Sequence, residues 1–128
     1  MALTEGTYTA EFLLSESPGG ISRDAVTVTV AAATKLSPGR VLAELSATGK
    51  YVPYDNVGTD GSEEASAILY SECDNTDGVA PVDFTGVTVI NWGAEVRKDD
   101  LTWAAGASAG DKTAAYADLA ARGIKARN

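Results

Sequence analysis

The chain has 128 residues, 45% hydrophobic and 22% charged, with ten basic against eighteen acidic side chains, no histidine and a single cysteine. That suits one globular domain able to bury roughly two-thirds of its unfolded surface, and its net charge of -8 argues against nucleic acid, whose phosphates attract cations and release counterions to them. Without histidine the commonest general base, the usual triad partner and the favoured transition-metal ligand are missing, and Cys73 alone can neither close an intrachain disulfide nor build a cysteine-ligated metal site.

The start, Met1-Ala2-Leu3-Thr4-Glu5, lacks the basic and apolar regions of a signal peptide, and no stretch approaches the roughly eighteen apolar residues of a membrane span. Thr7 to Leu14 follows, a segment rich in strand formers that places Tyr8, Ala10, Phe12 and Leu14 on one face at period two. It reads as an extended arm. Ser15-Glu16-Ser17-Pro18-Gly19-Gly20 then supplies a cluster of breakers, so residues 1–20 read as arm and hinge and residues 21–128 as one β-rich domain.

Ala25 to Ala31 alternates cleanly, with Val26, Val28 and Val30 on one face and Thr27 and Thr29 on the other, the pattern of a half-buried strand. Leu36-Ser37-Pro38-Gly39 ends in a Pro38-Gly39 pair suited to the second and third places of a type II turn, leading into a strand from Val41 to Leu45. Ala47-Thr48-Gly49 reverses the chain into Lys50-Tyr51-Val52, and Asp55 to Gly61 is a polar loop. Ala65 to Tyr70 and Val87 to Ile90 are further strand-length apolar runs, divided by the acidic turn Asp74 to Gly78.

The C-terminal part changes character. Ser108-Ala109-Gly110-Asp111 resembles a capping box, and the alanine-rich stretch to Arg122 favours a helix that stops at Gly123. Tyr116, Leu119 and Ala120 fall on one helical face, while Arg122, Lys125 and Arg127 place positive charge where the helix carbonyls end.

The candidate chemical motifs are weak. Asp99-Asp100 and Glu63-Glu64 are adjacent carboxylates that point apart on a strand or loop, and they read as solvated surface. Asp55 to Gly61 lacks the ligand alternation and closing glutamate of a calcium loop. Neither Gly19-Gly20 nor Gly58 to Gly61 makes a phosphate cradle at a strand-to-helix junction. Trp92 and Trp103 suit either the core or a subunit contact. The residues thus name no catalytic site, no cofactor and no metal.

Five short elements recur in a fixed order: Ser22-Arg23-Asp24, Pro38-Gly39-Arg40-Val41-Leu42, Gly49-Lys50-Tyr51, Asp60-Gly61-Ser62 and Ala67-Ile68-Leu69. Together with Phe12-Leu13-Leu14-Ser15, Gly93-Ala94-Glu95-Val96, Leu101-Thr102-Trp103 and Gly123-Ile124, the chain resembles the lambda-type bacteriophage head decoration protein family along nearly its whole length. It departs from that family's pattern at Ala31-Ala32-Ala33, where a glycine-containing turn is common, and at Asp83 to Gly86, which lengthens the approach to Val87.

The resemblance implies a mainly β fold with one C-terminal helix, a small β-clip-like bent-ribbon barrel with an extended N-terminal arm. It implies a non-enzymatic homotrimer, made in the host bacterial cytoplasm and mounted on the outer surface of an icosahedral capsid at threefold positions, touching neither nucleic acid nor membrane. The partner is the major capsid protein. Thr7, Tyr8, Thr9, Ala10, Glu11, Phe12, Leu13 and Leu14 would pair with it, hinged at Pro18, Gly19 and Gly20, with Trp92 and Trp103 as candidate trimer contacts. Physically, a β-competent segment of this kind can add a strand to another chain's edge.

Fixing about eight residues costs on the order of 1–2 kcal/mol each, and each strand hydrogen bond returns only about 0.5–1.5 kcal/mol net. Burying Phe12 and Leu14 adds roughly 1.5–3 kcal/mol apiece. One arm is then marginal, and three on one trimer act together through high local concentration. On this reading, removal of residues 1–17 leaves a folded trimer that no longer binds capsids. A free-standing β module that binds a carbohydrate or host surface through Tyr51, Tyr54, Trp92 or Trp103 is the alternative from another class.

Overall fold

The computed structural model describes residues 8–18 and 21–128. Its strands in chain order are β1 (Leu13–Glu16), β2 (Arg23–Val30), β3 (Thr34–Leu36), β4 (Val41–Glu44), β5 (Tyr51–Pro53), β6 (Ala65–Leu69), β7 (Cys73–Asn75), β8 (Val82–Ile90), β9 (Ala94–Arg97) and β10 (Ile124–Arg127), with one α-helix, α1 (Ala109–Ala121), among the described residues. The mainly β fold with a single helix near the C-terminus is thus realised. No helix among these residues is long and apolar enough to cross a membrane.

Five strands close a barrel in the order β2-β5-β4-β6-β8. The alternation of β2 does what its sequence predicts: Val28 and Val30 are fully buried and Val26 packs beside them. Their faces meet Leu42, Ala67, Leu69 and Val89 inside the barrel. The outer wall is also covered, because β1, β9 and β10 form a three-stranded sheet that encloses, with α1, a second core around Phe12, Val41, Ile68, Ile90, Val96, Leu119 and Ile124. All five residues of β6 are therefore buried, Ala67 and Leu69 facing one core and Ala65 and Ile68 the other. That double burial is the reason Ala65 to Leu69 reads as a run in which Ser66 is the one polar residue and not as an alternating strand.

Local signals are honoured at the turns and at the helix start. The Arg40 amide donates to the Ser37 carbonyl at 3.2 Å, closing the Pro38-Gly39 turn. Ser108 and Asp111 form a reciprocal capping box, the Asp111 amide donating to the Ser108 hydroxyl and the Ser108 amide to the Asp111 carboxylate. Ala33 adopts φ 56°, a left-handed conformation that disfavours any residue with a Cβ by roughly 1–2 kcal/mol.

Four expectations are corrected. Tyr8 to Leu14 is not one period-two strand: Ala10 takes φ 58°, and the Glu11 amide donates to the Tyr8 carbonyl and the Leu13 amide to the Ala10 carbonyl, so turns precede β1. β8 begins at Val82 and not at Val87, because Val82, Asp83 and Phe84 pair with Val30, Thr29 and Val28 of β2, and after a register shift Val87 resumes the ladder opposite Val26. Lys125 and Arg127 belong to β10, which runs parallel to β9, and they are not part of the helix end. On α1 the buried pair is Ala115 and Leu119, with Ala120 exposed.

Candidate functional site

The described N-terminal segment is tied to the domain at successive points. The Ala10 amide donates to the Tyr70 carbonyl at 3.0 Å, and the Arg97 amide to the Phe12 carbonyl at 2.8 Å. Between these bonds the Phe12 side chain is fully buried in the core under the three-stranded sheet. Leu13 packs at the margin of that core, while Leu14 is half exposed. β1 then pairs antiparallel with β9, Ser15 opposite Glu95 and Glu16 opposite Ala94, with a register shift between Leu13 and Ser15. Because the sheet order is β1-β9-β10, β1 is an outer strand.

Of the sequence-predicted arm residues, Thr7 lies outside the described residues, as do Gly19 and Gly20 of the hinge. Tyr8 and Thr9 are exposed, Ala10 is partly buried, and the Glu11 carboxylate accepts from the Tyr8 amide at 3.1 Å. Pro18 is exposed, just after the Ser17 hydroxyl donates to the Gly93 carbonyl at 2.8 Å.

A charged clamp closes this region. Arg23 donates to Glu16 at 2.5 Å and the buried Ser22 hydroxyl donates to the same carboxylate. These bonds, the arginine's first, hold the Glu16 carboxyl below its ordinary range. The Arg23 guanidinium also lies 4.6 Å from the centroid of the Tyr70 ring. Because Glu16 is depressed in the folded state, its stabilisation is full above the ordinary glutamate range and is lost as pH falls through the lower folded value. Glu16→Gln should therefore flatten the acid side of a stability-against-pH curve from thermal melts, and an acid side as steep as the parent's would remove the clamp as a source of acid sensitivity.

The two tryptophans separate. Trp103 is partly buried, its ring edge-on to Tyr54 at 6.3 Å and to Tyr116 at 5.6 Å, and it packs against the core. Trp92 is 50% exposed and Ile21 60% exposed. The Asn91 amide, donating to the Ser22 carbonyl at 3.0 Å, brings these two residues' neighbours together. Tyr51 and Tyr54 are buried, so neither offers an open ring face for stacking on a sugar; of the four rings the sequence suggested for that purpose, Trp92 is the exposed one.

The carboxylates singled out by sequence are occupied locally or solvated. Asp60 accepts from the Ser62 amide and hydroxyl, and Asp55 from the Val57 amide; Glu63, Glu64 and Asp99 are exposed. A cavity of about 200 Å³ beside Trp103 is lined by Tyr54, Asn56 and Asp111. Asn56 and Asp111 are already hydrogen-bonded to each other there at 2.9 Å. None of these arrangements brings together a nucleophile, a base and an oxyanion donor.

What distinguishes the molecule is thus a framework that carries β1 at an outer edge of its three-stranded sheet, an anchored N-terminal segment and an exposed tryptophan. No curated protein sequence matches the chain. A family model, that of the bacteriophage lambda head decoration protein D, matches residues 2–124. With that match spanning nearly the whole of both cores and every strand up to the start of β10, the chain belongs to the bacteriophage lambda head decoration protein D family.

Proposed function

We propose that this head decoration protein works as a homotrimer, seated at threefold positions on the outer surface of an icosahedral phage head, where it cements the expanded shell by pairing its N-terminal segment with the major capsid protein. The observation that carries this reading is the outer strand β1, joined to an N-terminal segment anchored by Phe12. An unpaired strand edge is a template for a strand from another chain. Leu14, half exposed beside it, offers apolar area that such a strand would cover.

Phe12 has a different part from the one its sequence suggests. Its ring is already within the subunit's own core, so it anchors the arm, and the capsid contact falls to Thr7–Glu11, Leu13 and Leu14. Each arm then contributes less apolar burial to the capsid, which makes the trivalent geometry more important. Trp92, with Ile21, is the trimer contact favoured by exposure, since large aromatic groups concentrate at interface centres; Trp103 serves the subunit's own packing.

The test is co-sedimentation with expanded capsids stripped of decoration protein, alongside mass in solution. The parent is expected to bind with the mass of three subunits. A variant lacking residues 1–11 keeps Phe12 and β1 and gives up the Ala10 ties to Tyr70 and Leu13, so it should hold that mass and melt only slightly below the parent while binding at least about tenfold more weakly, because three arm contacts are lost together. Trp92→Ala should lower the mass below three subunits. Undiminished binding by the truncated protein would sink the arm contact, and failure of the parent to bind would sink the cement reading itself.

A further inference from the structure

We infer that the loop from Gly78 to Val82, between β7 and β8, is a second docking element: a rigid apolar tip that enters an apolar pocket with a basic rim on the outer face of the capsid shell. The inference rests on the decoration reading above and adds a contact separate from the arm.

Val79 is 99% exposed and Val82 42% exposed, with Ala80 and Pro81 exposed between them. A single exposed valine is ordinary in a soluble protein, whereas four consecutive exposed apolar residues mark a surface of interest. This loop is also held in place. The side-chain amide nitrogen of Asn75, itself buried, lies 3.2 Å from the Val30 carbonyl, 3.0 Å from that of Ala31 and 3.1 Å from that of Ala80, so its two N–H groups, shared among these carbonyls, tie the middle of the loop to the end of β2. The Gly78 amide donates to the Asn75 carbonyl at 3.0 Å, and the Ala33 amide to the Gly78 carbonyl at 3.1 Å. A Cβ on Gly78 would lie 2.0 Å from the Asn75 Oδ1, and Asn75 cannot withdraw without giving up its three carbonyls. A tip ordered in advance loses little conformational entropy on binding.

Charge selects the partner's chemistry. Glu72, Asp74 and Asp77 surround the base of the tip and are exposed. Lys35 lies 3.9 Å from Glu72, close enough to help lower Asp74, whose main stabiliser is the Thr76 hydroxyl, and Lys50 is paired at 2.7 Å with a fourth carboxylate, Asp83, next to Val82. The collar therefore carries an excess of negative charge, and its complement is a basic rim.

Position selects the partner's place. Arg23 stands opposite Ile90 at one end of the β2–β8 ribbon, and Val30 opposite Val82 at the other. At about 3.3 Å per residue the eight residues of β2 set the tip roughly 25 Å from the Ile21–Trp92 end. A trimer closed around Trp92 would carry its three tips outermost, where the neighbouring subunits of the shell lie.

The experiment compares the parent with Val79→Asp and Asp77→Lys in the same capsid co-sedimentation, with mass in solution and thermal melting measured for each. Both side chains are exposed, so both variants should melt with the parent and keep its mass. Val79→Asp should bind at least about tenfold more weakly by placing a charge in an apolar pocket, and Asp77→Lys should bind more weakly with a shallower salt dependence. Parent-like binding by either variant overturns the inference and leaves the cement reading standing. A fall in mass for Val79→Asp also overturns it, placing the tip at the seam between subunits. A parent that does not bind capsids overturns both.

Discussion

Phe12→Ala is expected to destabilise the folded subunit by about 3–5 kcal/mol, the range for truncating a fully buried phenylalanine. Its ring has no exposure and packs in the core shared by Val41, Ile68, Ile90, Val96, Leu119 and Ile124, where sheet, barrel wall and helix meet. The backbone around it is bonded, the Arg97 amide donating to the Phe12 carbonyl, so the site can collapse only in part. Urea denaturation would read the loss as a lower midpoint at unchanged slope; a change below about 1 kcal/mol would show that the ring is not a core residue in solution.

The same geometry revises the expectation for removing residues 1–17. That truncation takes away Phe12 and all of β1, opening the core and exposing an edge of β9. The shortened chain should unfold more readily than the parent, and its failure to bind capsids would then say nothing specific about the arm. Removal of residues 1–11 separates the two effects, because anchor and strand remain.

The second large effect is expected at Gly39. Its φ of 88° lies in the left-handed region, and a Cβ there would stand 2.6 Å from the Asp100 carbonyl oxygen. That oxygen is backbone and cannot swing aside. Gly39 is held on both sides, its amide donating to the Leu69 carbonyl at 2.8 Å and its carbonyl accepting from the Thr102 amide at 2.9 Å. Gly39→Ala must therefore strain the turn or separate it from the Asp100–Thr102 segment, a loss of about 2–4 kcal/mol. Thermal melting would report it, and a variant as stable as the parent would mean that the Asp100 backbone yields.

Much of the fold was legible from residues because the deciding terms were local. The valine–threonine alternation of β2, the Pro38-Gly39 turn and the Ser108–Asp111 capping box each rest on interactions spanning a few residues. The family was legible from the order of otherwise weak elements, Ser22-Arg23-Asp24 through Ala67-Ile68-Leu69, since several weak signals in one fixed order are far more specific than any of them alone. β10 was missed although Ile124, Lys125, Ala126 and Arg127 alternate buried and exposed. Four residues after a helix stop carry little signal, and the pairing with β9 that makes them a strand comes from 30 residues away.

The candidate site was less legible, for the same reason. Phe12 at period two with Leu14 looks like one side of an arm, and only the three-stranded sheet closing over the barrel wall turns the two apart, one into the core and one toward solvent. Trp92 and Trp103 are equivalent as letters; the edge-on contacts with Tyr54 and Tyr116 assign Trp103 to the subunit and leave Trp92 exposed. The sequence by itself determined the class of protein: acidic, without histidine, β-rich, and a head decoration protein by its order of landmarks. The tertiary structure decided which side chains anchor the N-terminal segment and which remain for partners, because a barrel wall buried on both faces makes every such choice depend on strands distant in the chain.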